Sequence, residues 1–111
     1  MRKNSMNRNL DGVYFRVKRD DKWQNICFTD LTNEETSVIL NDRDEAWLSS
    51  MLEILLKVYD NVISVVSDEE LNDIKDLLID YKMFDSLKFR VVALQKNIKI
   101  VAHCANISSI Y

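Results

Sequence analysis

DEAWLSSMLEILLKVYDNVISVV, residues Asp44 to Val66, repeats its apolar side chains at helical spacing. Leu48, Met51, Leu55, Val58, Val62 and Val65 recur at steps of three and four, which puts them on one line along a helix. Trp47, Leu52, Ile54, Leu56, Tyr59, Ile63 and Val66 widen that line, and Ser49, Ser50, Glu53, Lys57, Asp60, Asn61 and Ser64 are left for water. Trp47 and Tyr59 lie on the seam and read as packing residues. A helix with so broad an apolar face must be covered by other elements or by a second copy of the chain.

On either side of this helix the chain carries capping signals. Thr32 with Glu35, Asp42 with Glu45 and Ser67 with Glu70 each place a capping side chain three residues before a carboxylate; the first and third are full capping boxes. They predict a short helix over Asn33–Leu40, the start of the central helix, and a third helix over Asp68–Phe84. The third would turn Leu71, Ile74, Leu77, Leu78 and Tyr81 inward. Upstream, Asp11-Gly12 opens a turn. Val13, Phe15 and Val17 then alternate with Tyr14, Arg16 and Lys18, and Trp23 to Phe28 returns after the polar break Arg19-Asp20-Asp21-Lys22. These two runs predict a β-hairpin that must pack on the helices. Downstream, Leu87 to Ile107 fits a helix, with Leu87, Val91, Leu94, Ile98, Val101 and Ala105 on one line. Lys88, Gln95, Lys96, Lys99, His103 and Asn106 would form its polar flank, Asp85 or Ser86 would cap its start, and Asn106 with Ile107 would close it. A second hairpin is the alternative, since the same residues alternate as strands around Gln95-Lys96-Asn97. The helix is preferred because that turn would contain no glycine.

The expected architecture is therefore α+β and mostly helical: an N-terminal β-hairpin packed on three to four helices, with Asp44–Val66 central. Residues 1–9 read as a flexible basic tail and residues 10–111 as a single domain. One glycine and no proline argue against a many-turned sandwich or barrel and against a glycine-rich phosphate loop. The apolar runs fall far short of the ~20 residues a membrane span needs, and no secretory signal is seen, so the expected location is the cytoplasm. Cys27 and Cys104 have no metal-binding spacing and are expected to be reduced, buried thiols.

The formal net charge of −3 conceals a segregation. Residues 1–29 hold seven Lys and Arg against three Asp, a net of +4; residues 30–85 hold four against fifteen acids, a net of −11; residues 86–111 hold four and no acid. An acidic centre thus lies between two basic ends.

The run DGVYFRVKR followed by KWQNICFTDLT, within Asp11–Thr32, resembles the opening of small uncharacterised proteins carried by phages and conjugative elements of Gram-positive bacteria. It covers about a fifth of the chain. The resemblance implies a setting rather than a chemistry: small proteins of such elements often bind host machinery, anti-CRISPR proteins among them.

Two surfaces are candidates for binding. Glu69, Asp73, Asp76 and Asp80 step by four, three and four, so on the expected third helix they form one exposed stripe. Lys75 and Lys82 fall elsewhere on that helix, and the helix dipole favours acids only in the first turn. Such a stripe suits docking on a basic partner, as an imitation of nucleic-acid phosphates. The plainer alternative is a solvated face neutralised by Lys88, Lys96 and Lys99. The second surface is the hairpin, where Tyr14, Arg16 and Lys18 share a face with Arg19, Lys22 and Trp23 nearby. Cations interleaved with aromatics can track a nucleic-acid backbone and stack bases, although any two-stranded ribbon can show the same pattern. Catalysis has little to rest on: the one histidine, His103, could meet Cys27 only through the fold, and no catalytic residue, metal site or cofactor is expected.

The expected function is accordingly non-enzymatic: a mobile-element protein that docks its acidic face on a basic, nucleic-acid-handling host protein or protein–nucleic-acid complex and inhibits it, as an anti-CRISPR-type inhibitor does. The alternative is a small nucleic-acid-binding or regulatory protein using the hairpin and the basic C-terminal flank. A homodimer is one way to cover the central helix; neither a membrane nor a small-molecule substrate is expected.

Overall fold

The hairpin closes on the smallest loop that antiparallel strands allow. In the computed structural model, which describes residues 8–105, β1 (Tyr14–Arg19) pairs antiparallel with β2 (Lys22–Cys27) in the register Lys18 opposite Trp23, Arg16 opposite Asn25 and Tyr14 opposite Cys27. Asp20 and Asp21 form the two-residue turn at φ 53° and 64°. A positive φ at both central positions suits the right-handed strand twist, and aspartate tolerates it better than most residues that carry a Cβ. Each strand reaches one residue nearer the turn, at Arg19 and Lys22, than the alternation predicts. At its other end the hairpin is tied by Asp11, buried, whose carboxylate accepts from the backbone N–H of Val13 (2.7 Å) and of Thr29 (2.8 Å). Gly12 sits at φ +72° within this tie, a conformation that disfavours any side chain even though a Cβ would meet no neighbour.

A 3₁₀ turn at Phe28–Asp30 leads into α1 (Asn33–Leu40), with the predicted bounds and the predicted Thr32/Glu35 capping box. The central helix α2 (Glu45–Ser64) also forms as expected, with Leu48, Met51, Leu55, Val58 and Val62 buried; Val65, expected on the same line, is exposed beyond the helix end. Its cap differs from the expected Asp42/Glu45 pair. Asp42 is in the left-handed region (φ 64°) in the connection, and Asp44 caps instead, accepting from the Trp47 N–H at 2.8 Å. Trp47 packs half-buried against Phe15, ring centroids 6.2 Å apart.

The last segment is a helix, α4 (Leu87–Cys104), capped by Ser86; the alternative of a second hairpin is excluded. Asn106 and Ile107, proposed to close it, lie outside the described residues, as do residues 1–7 of the expected tail. Arg8 and Asn9, the last two residues of that tail, donate their backbone N–H groups to the Asp30 carboxylate at 2.9 and 3.0 Å. Eight of eighteen residues of α4 are buried, against five of twenty in α2, so the more deeply wrapped helix is α4. It packs along α2 and also touches the 28–30 turn, α3 (Asp68–Ile74) and the 81–83 turn. Its expected polar flank is therefore corrected. Gln95 is fully buried, donating to the Phe28 carbonyl (2.8 Å) and to Thr36 Oγ1 (2.7 Å), and Lys99 donates its ammonium to the Leu31 carbonyl. Burial pushes the Lys99 ammonium down and the Asp30 carboxyl up from their ordinary values.

The third helix is much shorter than predicted. α3 ends at Ile74, 3₁₀ turns follow at Lys75–Leu77 and Tyr81–Met83, and Leu78 and Asp80 between them are extended. The cause lies on α4. The buried Asn97 side chain accepts from the Ile79 N–H and donates to the Ile79 carbonyl, both at 2.8 Å. An amide that occupies both backbone groups of one residue takes them away from any helical ladder.

Candidate nucleic-acid interface

Because side chains alternate across a ribbon, the observed register sorts the six hairpin candidates into two sets. Tyr14, Arg16 and Lys18 share the outer face with Trp23, and all four are exposed, Tyr14 by 51% and Trp23 by 59%. The Arg16 guanidinium carbon lies 5.9 Å and the Lys18 ammonium 6.0 Å from the Trp23 ring centroid. At these distances both cations are within the range in which the ring face attracts positive charge. Asn25, opposite Arg16, also lies on this face, and Cys27, opposite Tyr14, is buried at its end; Asn25 is missed in the sequence although a two-residue turn at Asp20-Asp21 fixes its place. The Tyr14 hydroxyl is pushed up, chiefly by the charge of the neighbouring Cys27 at high pH.

Arg19 and Lys22 pair with each other across the ribbon on the opposite face, so neither joins this surface. Arg19 is engaged by the fold. Its Nε and Nη2 donate to the two Glu35 oxygens at 3.0 and 2.7 Å, and Nη2 also reaches the Asp30 carbonyl at 3.2 Å. The pairing raises Arg19 and holds the Glu35 carboxyl below its ordinary range. Glu35 is itself part of the α1 capping box, so one carboxylate fastens the hairpin to the first helix and leaves the Tyr14–Trp23 face outward.

The four acids of the predicted stripe do not share a helix face. Glu69 and Asp73 are on α3, Asp76 is in the 75–77 turn, and Asp80 lies beyond the extended break, where its carboxylate accepts from the Lys82 N–H at 3.1 Å. All four are exposed. Among the described residues none forms an ion pair, and the neutralising role expected of Lys88, Lys96 and Lys99 is not taken up. A shallow cleft of about 380 Å³ lies beside Asp80, between Tyr59, Tyr81, Lys75 and Lys82.

The thiols differ from each other. Cys27 is buried, and burial with the nearby Asp11 charge pushes it up to about 11; Cys104 is exposed, contrary to the expectation that both are buried. Both are free. His103 is exposed near the end of α4, and no hydrogen bond joins it to Cys27 among the described residues. Among the same residues no cluster of three metal-ligating side chains occurs, and no helix is long and apolar enough to cross a membrane. The chain matches no known protein family, no curated protein and no solved structure.

Proposed function

We propose that this chain is a non-enzymatic cytoplasmic binding protein that holds nucleic acid on the outer face of its N-terminal hairpin. The observation that carries this reading is the grouping of two open aromatic rings with two cations, Tyr14 and Trp23 with Arg16 and Lys18, on one side of the ribbon. Rings of this size contribute much of the energy in interfaces when covered, and neighbouring cations are suited to phosphate. The resemblance of residues 11–32 to small phage and conjugative-element proteins gives such a binder a setting in regulation within a mobile element. The basic C-terminal flank contributes less than its sequence suggests, because Gln95 and Lys99 serve the interior.

The test is binding of labelled DNA and RNA by the purified chain at low salt. Replacing Arg16 and Lys18 together with Gln is expected to weaken binding at least about tenfold and to flatten its salt dependence. Absence of binding at low salt rejects the reading.

A second reading is favoured by a separate observation, the exposure of Glu69, Asp73, Asp76 and Asp80 without ion-pair partners among the described residues. In it the chain docks these acids on a basic, nucleic-acid-handling host complex and inhibits it, as an anti-CRISPR-type inhibitor does. It ranks second because the four carboxylates are spread over three short elements instead of forming one rigid stripe.

A further inference from the structure

We infer that the hairpin face selects single-stranded over duplex nucleic acid, with one base stacked on Trp23 and another on Tyr14. The inference rests on the nucleic-acid reading and narrows it to a class of ligand. Stacking on a protein ring needs a base whose own face is free, which an extended single strand offers and a continuous duplex does not. The outer face offers rings. Trp23 and Tyr14 are both more than half exposed, and the register places them two same-face rungs apart, roughly 14 Å at the usual rise per residue. Arg16 lies on the rung between them and Lys18 directly across from Trp23, so each ring has a cation at hand for the phosphate that flanks a stacked base.

The same face is poorly made for a duplex. A β-ribbon that reads the major groove does so with hydrogen-bonding side chains set against base edges and with cations for the phosphates on both sides. Here Arg16, Lys18 and Asn25 are the groups of the outer face that can meet base edges, so cations used there are not left for the phosphates of both strands; Lys22 is turned to the other side, and the tip that would lead into a groove carries Asp21. The Asp21 carboxylate at the tip opposes the phosphates of a second strand. A single strand lying along the face meets Arg16 and Lys18 and can leave the tip in water.

The experiment is a titration of the full chain, followed by tryptophan emission and by anisotropy of the labelled probe. The probes are a short oligothymidylate, a mixed-sequence single strand and the duplex of that same sequence. Expected are quenching of emission by both single strands, affinity for them at least about tenfold above that for the duplex, and a salt slope of about −1 to −2 from two phosphate-binding cations. Trp23→Leu is expected to weaken single-strand binding by about five- to a hundredfold and to remove most of the quenching, while Lys22→Gln changes affinity less than about twofold. Trp23 is exposed, and an unchanged far-UV spectrum confirms that the variant is folded. Equal affinity for duplex, or binding that depends on Arg16 and Lys18 but not on Trp23, overturns the inference and leaves the broader reading standing. No binding of any probe at low salt overturns both.

Discussion

At the residue scale, Glu35 joins two local decisions. One oxygen accepts both from the Thr32 N–H that closes the capping box and from Arg19 Nη2, and the other accepts from Arg19 Nε. The side chains of Arg19 and Glu35 are each less than one-fifth exposed, so the pair is only partly screened by solvent. Because Arg19 lowers the folded-state pKa of Glu35, the pair's contribution is fully present above the unfolded carboxyl's value, roughly 4.3, and is lost as pH falls through the folded one. Glu35→Gln is therefore expected to cost about 1–2 kcal/mol at pH 7, read from the urea midpoint, with the gap to the unsubstituted chain narrowing below about pH 4. A gap that holds constant to pH 3 would show the carboxylate's charge to be irrelevant. Two of these partners were visible beforehand, since Thr32 and Glu35 have capping-box spacing. Arg19 was not: in the sequence it reads as one more cation of the hairpin, and only the inward turn of its rung takes it from the binding face.

At the scale of elements, what could be read ahead divides by the origin of the signal. The bounds of α1, the buried line of α2 and the helical state of residues 87–104 follow from capping and periodicity within each segment, and each is found. The predicted third helix is too long because Leu71, Ile74, Leu77, Leu78 and Tyr81 do keep helical spacing, while the group that overrides them is sixteen residues or more away. Asn97 makes its two hydrogen bonds to Ile79 across that separation, and nothing in residues 68–84 announces it. The acidic stripe failed with the helix that was to carry it. Asn97→Ala removes both bonds and leaves the Ile79 backbone groups to find others, at an expected cost of about 2–3 kcal/mol. Hydrogen exchange at the Ile79 amide should accelerate in that variant before the rest of the domain responds. An unchanged Ile79 exchange rate would show that the 78–80 backbone is held by something other than this amide.

At the scale of the molecule, the charge blocks give the second functional reading its own test. Asp73→Asn, Asp76→Asn and Asp80→Asn combined remove three negative charges from the acidic segment. If docking on a basic partner is the function, the tagged triple variant should lose the basic, nucleic-acid-handling proteins that the parent chain captures from host lysate at low salt, while its unfolding free energy, read from the urea midpoint, stays within about 1 kcal/mol of the parent's. Capture that survives the triple substitution ends that reading. The position of α4 carries a consequence of a different kind. It is the last helix of the described chain, yet it packs along α2, holds the 28–30 turn through Gln95 and fixes the 78–80 backbone through Asn97. Synthesis runs from the N-terminus, so on the ribosome the 28–30 turn and the apolar side of α2 emerge before the segment that shields them exists. Until translation has delivered that keystone, the nascent polypeptide is a natural client for chaperones, and a stop codon ahead of residue 87 would leave it one permanently.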